Sequence, residues 1–267
     1  MRSAILSLLA LCGCYSLGPV ASTTAVSAVP AGRPGIEAQA GFVPGFKLSD
    51  GAQHSARGEG MGELAALVDL DRWLPAPGLV VGARVFGVDK DTPGEPMIGY
   101  RRAVTEDVAI AVIAFATAKR STTHLATYHA TQGGAEAAID GRLVSSQWLA
   151  LHAQGALSTT ALSGTGTYCV NGSGIAIDCD INNPSSNTMV DGKVSGLYPA
   201  ATATLALDIA RRTTGAFHGA RIAALGTAGM MPFLTNGRRD GTKAYATIGL
   251  TLTLGLGAAD GSAAAAR

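Results

Sequence analysis

Residues 243–257 read Lys-Ala-Tyr-Ala-Thr-Ile-Gly-Leu-Thr-Leu-Thr-Leu-Gly-Leu-Gly and alternate without a break. Ala244, Ala246, Ile248, Leu250, Leu252, Leu254 and Leu256 fall on one phase. Lys243, Tyr245, Thr247, Gly249, Thr251, Thr253 and Gly255 fall on the other. A period of two predicts a strand with one apolar face and one polar or small face. Ordinary strands average roughly 5–6 residues, whereas a tilted membrane-crossing strand needs about 9–11, and this stretch reaches the second length.

The same design recurs upstream. Ile36, Ala38, Ala40 and Phe42 oppose Glu37, Gln39 and Gly41; Leu64, Ala66, Val68 and Leu70 oppose Glu63, Asp69 and Asp71. Leu79–Val88 sets Arg84 against Val81, Ala83 and Val85. Met97–Val104 is a weaker strand, and Val108–Ala118 is so uniformly apolar that periodicity cannot separate strand from buried helix. Ala135, Ala137 and Ile139 face away from Glu136 and Asp140. Leu149, Leu151, Ala153 and Leu157 face away from His152 and Gln154. Leu205, Leu207 and Ile209 oppose Thr202, Thr204 and Asp208, and Ala220, Ile222 and Ala224 oppose Arg221. Between these runs, polar Gly-rich connections alternate with short turns. The longest irregular region is expected over Gly164–Gly192, and Phe233–Gly241 is expected to loop into the last strand.

About ten strands (eight to twelve) result, and the fold expected is an all-β, antiparallel, up-and-down transmembrane barrel over 36–257. Composition bears on this in two ways. No stretch approaches the ~18 apolar residues of a membrane helix, so a bilayer protein of this sequence must satisfy its backbone by closing a sheet. Net charge is +1 and charged residues are 15% of the chain, which gives no basic face for nucleic acid.

The N-terminus reads as an export signal over 1–14: Arg2, an apolar run from Ala4 to Leu11, then Cys12-Gly13-Cys14. Two processing routes stand. Leu11-Cys12-Gly13-Cys14 resembles a bacterial lipobox, with Cys14 as the lipidated residue; alternatively, an ordinary signal is cut after Val26-Ser27-Ala28. Residues 15–35, rich in Ser, Thr, Ala, Pro and Gly, read as a flexible tether, and 258–267 as a disordered tail. Cys169 and Cys179 lie in a Gly/Asn/Ser-rich segment with no His or second Cys pair beside them. An isolated pair in an exported chain is more often a disulfide than a metal site.

These patterns resemble Gram-negative outer-membrane β-barrel proteins, of the Ala/Gly-rich kind seen in high-GC bacteria. The resemblance implies an outer-membrane location, lipid as the surrounding partner, and a structural, adhesive or small-solute transport role. Two features depart from it. Aromatics are 5%, leaving Trp73, Trp148, Tyr198, Phe217 and Tyr245 as candidates for interfacial girdles, and the chain ends in an Ala-rich tail. Oligomeric state is not legible.

One strand face must line the interior. The charges expected there are Glu37, Glu63, Asp69, Arg84, Glu136, Asp140, His152, Asp208, Arg221 and Lys243. Their mixed signs favour a bore plugged by paired charges over a one-signed selectivity ring. No catalytic residue is assigned. His124, His129 and His152 sit near Ser and Thr without a nucleophile elbow, and His54 with the acids of Asp89–Glu95 matches no protease motif. No cofactor or metal is expected. The competing reading is a secreted or lipid-anchored soluble β-barrel or sandwich that binds a ligand, with apolar residues inside instead of outside.

The cysteines yield a first test. A Cys169–Cys179 disulfide should stabilise the loop by about 2–3 kcal/mol by restricting its unlinked conformations. Mass spectrometry of non-reduced peptides from exported protein should show the linked pair; two free thiols would refute it.

Overall fold

Alternating side chains commit these segments to strands, and the pairing register closes them into a ring. The computed structural model describes residues 21–22, 27–30, 35–48, 56–72, 74, 77–86, 94–122, 126–146, 148–170, 188–209, 217–235 and 238–256. A two-residue strand β1 (Ala21–Ser22) precedes the wall. The wall consists of β2 (Ile36–Leu48), β3 (Ala56–Asp69), β4 (Leu79–Phe86), β5 (Glu95–Ala103), β6 (Val108–Thr122), β7 (Ala126–Ser145), β8 (Leu149–Val170), β9 (Thr188–Ile209), β10 (Phe217–Thr235) and β11 (Arg238–Leu256). Each wall strand pairs antiparallel with the next, and β11 returns to β2, which gives a closed up-and-down barrel of ten strands.

The register fixes the barrel's shape. Partners traced once round from Leu256 run through Ile36, Val68, Val81, Ile98, Ala114, Ala135, Thr159 and Pro199. One step beyond the Ala200–Gly229 pair, Pro199 leads to Met230 and then to Ala244, 12 residues from the start. With a rise of about 3.3 Å per residue and strands about 4.8 Å apart, that stagger tilts the strands by about 40° and sets a backbone radius of about 10 Å.

The chain ends of the wall, Ile36 and Leu256, lie at one mouth, here the terminal mouth. There the chain turns between β3 and β4 through a 3-10 turn (Leu70–Arg72), then between β5 and β6, β7 and β8, and β9 and β10. Gly78 sits in the first of these connections at φ +88°, a conformation that suits glycine, and a Cβ there would run into the Arg101 carbonyl. At the far mouth β8 and β9, 22 residues each, rise well above β4, with eight. The rim is therefore steeply uneven.

Several boundaries differ from the sequence expectation. The region Gly164–Gly192 is strand at both ends, since β8 continues to Val170 and β9 starts at Thr188. Phe233–Gly241 is a tight hairpin in place of a loop, with strand up to Thr235 and again from Arg238. These extensions mix Gly, Thr and charged residues with few aliphatic ones, which weakens the apolar contrast that periodicity needs. Long loops and short turns also do not sort by mouth, for the far mouth holds both the short 123–125 and 236–237 connections and the long 171–187 one.

β2 departs from a plain wall strand halfway along. Its pairing with β11 stops at Phe42–Leu250, while its pairing with β3 continues to Leu48–Ala56. Pro44 follows the separation point, where its missing N–H removes a ladder donor. Beyond it, Phe46 packs with Ala130, Leu162, Val194, Tyr198, Met231 and Tyr245 of β7 to β11. A β2 side chain in that company has crossed the bore. The outer half of the β2–β3 hairpin thus leans inward and places Phe46 in an apolar cluster inside the far half of the barrel.

Candidate functional site: the charged bore

The inward phase of every strand supplies the site. Glu37, Glu63, Asp69, Arg84, Glu136, Asp140, His152, Asp208 and Arg221 are all buried on it. Lys243 shares the phase but sits half-buried at the far rim, 5.8 Å over the Phe233 ring. The outward phase is apolar: Ile248 is 81% exposed, Leu157 70%, Leu197 67% and Phe42 64%. On β11, Thr251 and Thr253 are buried and Leu250 and Leu252 exposed.

Three arginines organise the interior. At the terminal mouth Arg101 forks onto Asp69, with Nε donating to Oδ1 at 2.7 Å and Nη2 to Oδ2, while Nη1 donates to Glu37 Oε2 at 2.6 Å. Asp69 Oδ2 also accepts the Gly35 amide at 2.8 Å, which fixes the entry to β2. This bidentate geometry is what a planar guanidinium offers and an ammonium does not.

Toward the β4–β5 end of the bore, Arg84 pairs with Glu95 through Nε and Nη2 and lies 4.0 Å from Glu63 Oε2. Its guanidinium stacks 4.9 Å from the Phe86 ring centre and 4.8 Å from that of Phe115, a placement suited to cation–π attraction. Gln132 donates to Glu95 Oε2 at 2.5 Å, and Gln39 to Glu63 Oε1 at 2.9 Å. Thr253 then donates to Gln39 at 3.2 Å across the β2–β11 seam.

The third cluster is on the opposite wall. Arg221 Nε and Nη2 donate to the two Asp208 oxygens at 2.6 and 2.9 Å. His152 lies between carboxylates, with Nδ1 2.8 Å from Asp140 and Nε2 3.5 Å from Asp208. Both ring nitrogens face acids, which leaves neither directed at a nucleophile.

Arg101, Glu95, Gln132 and Gln39 join this network without having been singled out as site residues in the sequence, and Gln154 is buried on the same inward phase. Arg101 was hidden because β5 puts Met97 on the inward phase and a second arginine, Arg102, on the outward one. Glu95 reads from sequence as part of an acidic loop; in the fold it opens β5 and belongs to Arg84. Two girdle candidates are corrected as well. Tyr198 and Tyr245 are buried in the bore, edge-on to Phe46 at 5.5 and 5.9 Å, so they do not face outward. Trp148 and Phe217 are exposed at the terminal mouth. The export signal, Cys14, His54, His124, Trp73, Cys179, the Cys169 side chain and the tail lie outside the described residues. So do the acids Asp89 and Asp91. Among the described residues no cluster of His, Cys, Asp and Glu has a metal-binding arrangement.

Burial separates the ion pairs energetically. Arg101→Met should cost about 3–5 kcal/mol because Glu37 and Asp69 stay buried without their cation. Arg142→Met, which removes the solvent-facing Arg142–Asp107 pair, should cost less than about 1 kcal/mol. Urea unfolding in detergent measures both, and equal losses would contradict the network described.

No family model matches the chain, and no curated protein matches it. Among solved structures the chain is similar to Ail, the attachment invasion locus protein of Yersinia pestis. The match has 9% identity, covers 84% of this chain and 99% of that one, and has a TM-score of 0.29. That likeness is loose, and the barrel rests on its own strand register.

Proposed function

We propose that this protein is an integral barrel of the Gram-negative outer membrane, with a closed bore and a structural or adhesive role in place of a diffusive one. The observation that carries the reading is the inside-out partition of the wall. Leu64, Ile98, Val112, Ile139, Leu157, Leu197, Leu205, Ile222 and Leu252 are exposed on the outward phase, while Arg84, Arg101, Arg221 and their partner carboxylates are buried on the inward one. A water-soluble barrel of this sequence would expose an apolar belt far beyond the few hundred Å2 that monomers ordinarily show. Lipid is the partner that such a belt fits, with strands tilted at about 40° as membrane barrels require. The soluble binding-module reading needs the opposite partition.

Closure of the bore follows from what fills it. Each of the three buried arginines is paired with carboxylates from the wall, and the Phe46 cluster fills the far half with hydrocarbon. A ten-stranded wall leaves little room beyond one layer of inward side chains. His152, held between Asp140 and Asp208, has no nucleophile to serve, so no catalysis is proposed.

Three measurements test this. Expressed protein should fractionate with the outer membrane and migrate differently on gels when heated and unheated. Leu252→Arg should destabilise by about 2–4 kcal/mol if it lies near mid-bilayer, while Thr251→Arg should cost less where space permits. The wild-type protein should give no large, steady conductance in planar bilayers. A soluble periplasmic product, or equal tolerance of the two substitutions, would sink the membrane assignment; porin-like current would sink the closed bore.

A further inference from the structure

The bore holds one more thing besides its own wall. Residues Ser27–Pro30 lie inside it: Ala28 is 2% exposed and packs among Ala109 and Ala111 of β6, Ala138 of β7 and Ala156 of β8. Gln154 Oε1 accepts the Ala28 amide at 2.9 Å. Arg221 Nη1 donates to the Val29 carbonyl at 2.7 Å and also to Ser27 Oγ, while Asp208 grips the other edge of the same guanidinium. These groups read a backbone amide, a backbone carbonyl and a hydroxyl. Four alanines on the wall leave the width that a main chain needs, where larger side chains would fill it.

We infer that the terminal half of the bore is a binding site for an uncharged peptide segment of small residues, and that its occupant is this chain's own Ser27–Pro30. Ala21–Ser22 pairs with Phe46 and Gly45 of β2, at the level of the far-mouth apolar cluster. Ser27–Pro30 lies beside Arg221 and Asp208, near the terminal mouth, and Gly35 is tied to Asp69 at that mouth. The two described stretches thus lie at different levels of the bore, Ala21–Ser22 toward the far mouth and Ser27–Pro30 toward the terminal one. The sequence fits this placement, with no charged residue between Arg2 and Arg33. A charge buried in this confined interior without a partner would be costly. Of the two processing routes, cleavage after Ala28 would remove half of the bound segment, whereas cleavage upstream at Cys14 would keep it whole. The inference needs the closed wall but not the membrane, so the two readings fail separately.

The test is a disulfide trap in the full-length chain. Ala28→Cys with Ala156→Cys, oxidised in purified protein that retains its heat-dependent gel shift, should yield a linked peptide by mass spectrometry. Ala28→Cys with Leu157→Cys, one residue along but on the outer wall, should yield none. Ala28→Cys with Ala138→Cys serves as the second inward pair if the first does not fold. Absence of a link from every folded inward pair would overturn the inference, as would equal linking to Leu157. Sequencing that shows the exported protein to begin at Val29 would also overturn it.

Discussion

The seven pairs between Ile36–Phe42 and Leu256–Leu250 hold the rest of this structure in place. They join the two ends of the wall, and without them β2 and β11 would each present a row of unpaired amides and carbonyls. A sheet in hydrocarbon cannot leave such an edge, and a sheet in water that leaves one invites pairing with other chains. Closure also fixes the register, and in a strand the register decides which face is inside. A slip of one residue at this seam would reverse one of the two strands, turning either Glu37 outward and Ile36 inward or Thr251 outward and Leu252 inward. The charges of the bore and the seam therefore support the same register, each making the alternative expensive.

The seam is as short as it can usefully be. It ends at Phe42, two residues before Pro44, and the freed half of β2 carries Phe46 across the bore. Gly249 faces this departure, where a Cβ would collide with the Phe42 carbonyl and crowd the Pro44 ring at 2.8 Å. The wall gives up half a strand's pairing to β11 and gains an apolar layer above the polar ones. The interior is thus layered, with arginine–carboxylate clusters toward the terminal mouth and the β4–β5 wall, and aromatic and aliphatic packing toward the far mouth. Polar groups that are buried must be matched one by one, while hydrocarbon needs only volume.

The fold was legible in the sequence wherever an apolar phase ran against a polar one. Ile36–Phe42, Leu64–Asp69, Leu79–Val85 and the last strand were legible as strands with two distinct faces, because each puts leucine, isoleucine or valine opposite acids, threonine or arginine; which face is inside was not legible. Legibility failed where that contrast vanishes. Ser158–Tyr168 offers small or hydroxyl residues on both phases, and its strand is held by pairing to β7 and β9, which no local pattern records. In the bore, single charges on the inward phase could be listed, but their partners could not. Arg101 reaches Glu37 from 64 positions away in sequence, and only the ring brings β2, β3 and β5 to one place.

β6 is where the pattern was most ambiguous, and the reason lies outside β6. Its outward residues Ile110, Val112 and Ala114 follow the wall, yet its inward residues Ala109, Ala111, Ile113 and Phe115 are apolar too. Ile113 and Phe115 complete a packed patch with Leu67, Val80 and Met97, and Ala109 and Ala111 lie against Ala28. A strand that faced open water in a channel would not need small hydrocarbon side chains there. One that backs a buried main chain does, because the groove must be narrow in chemistry and wide in shape. The loss of alternation in β6 is therefore itself a trace of what occupies the bore, and the composition that made residues 15–35 read as a tether is the composition that lets part of them lie inside it.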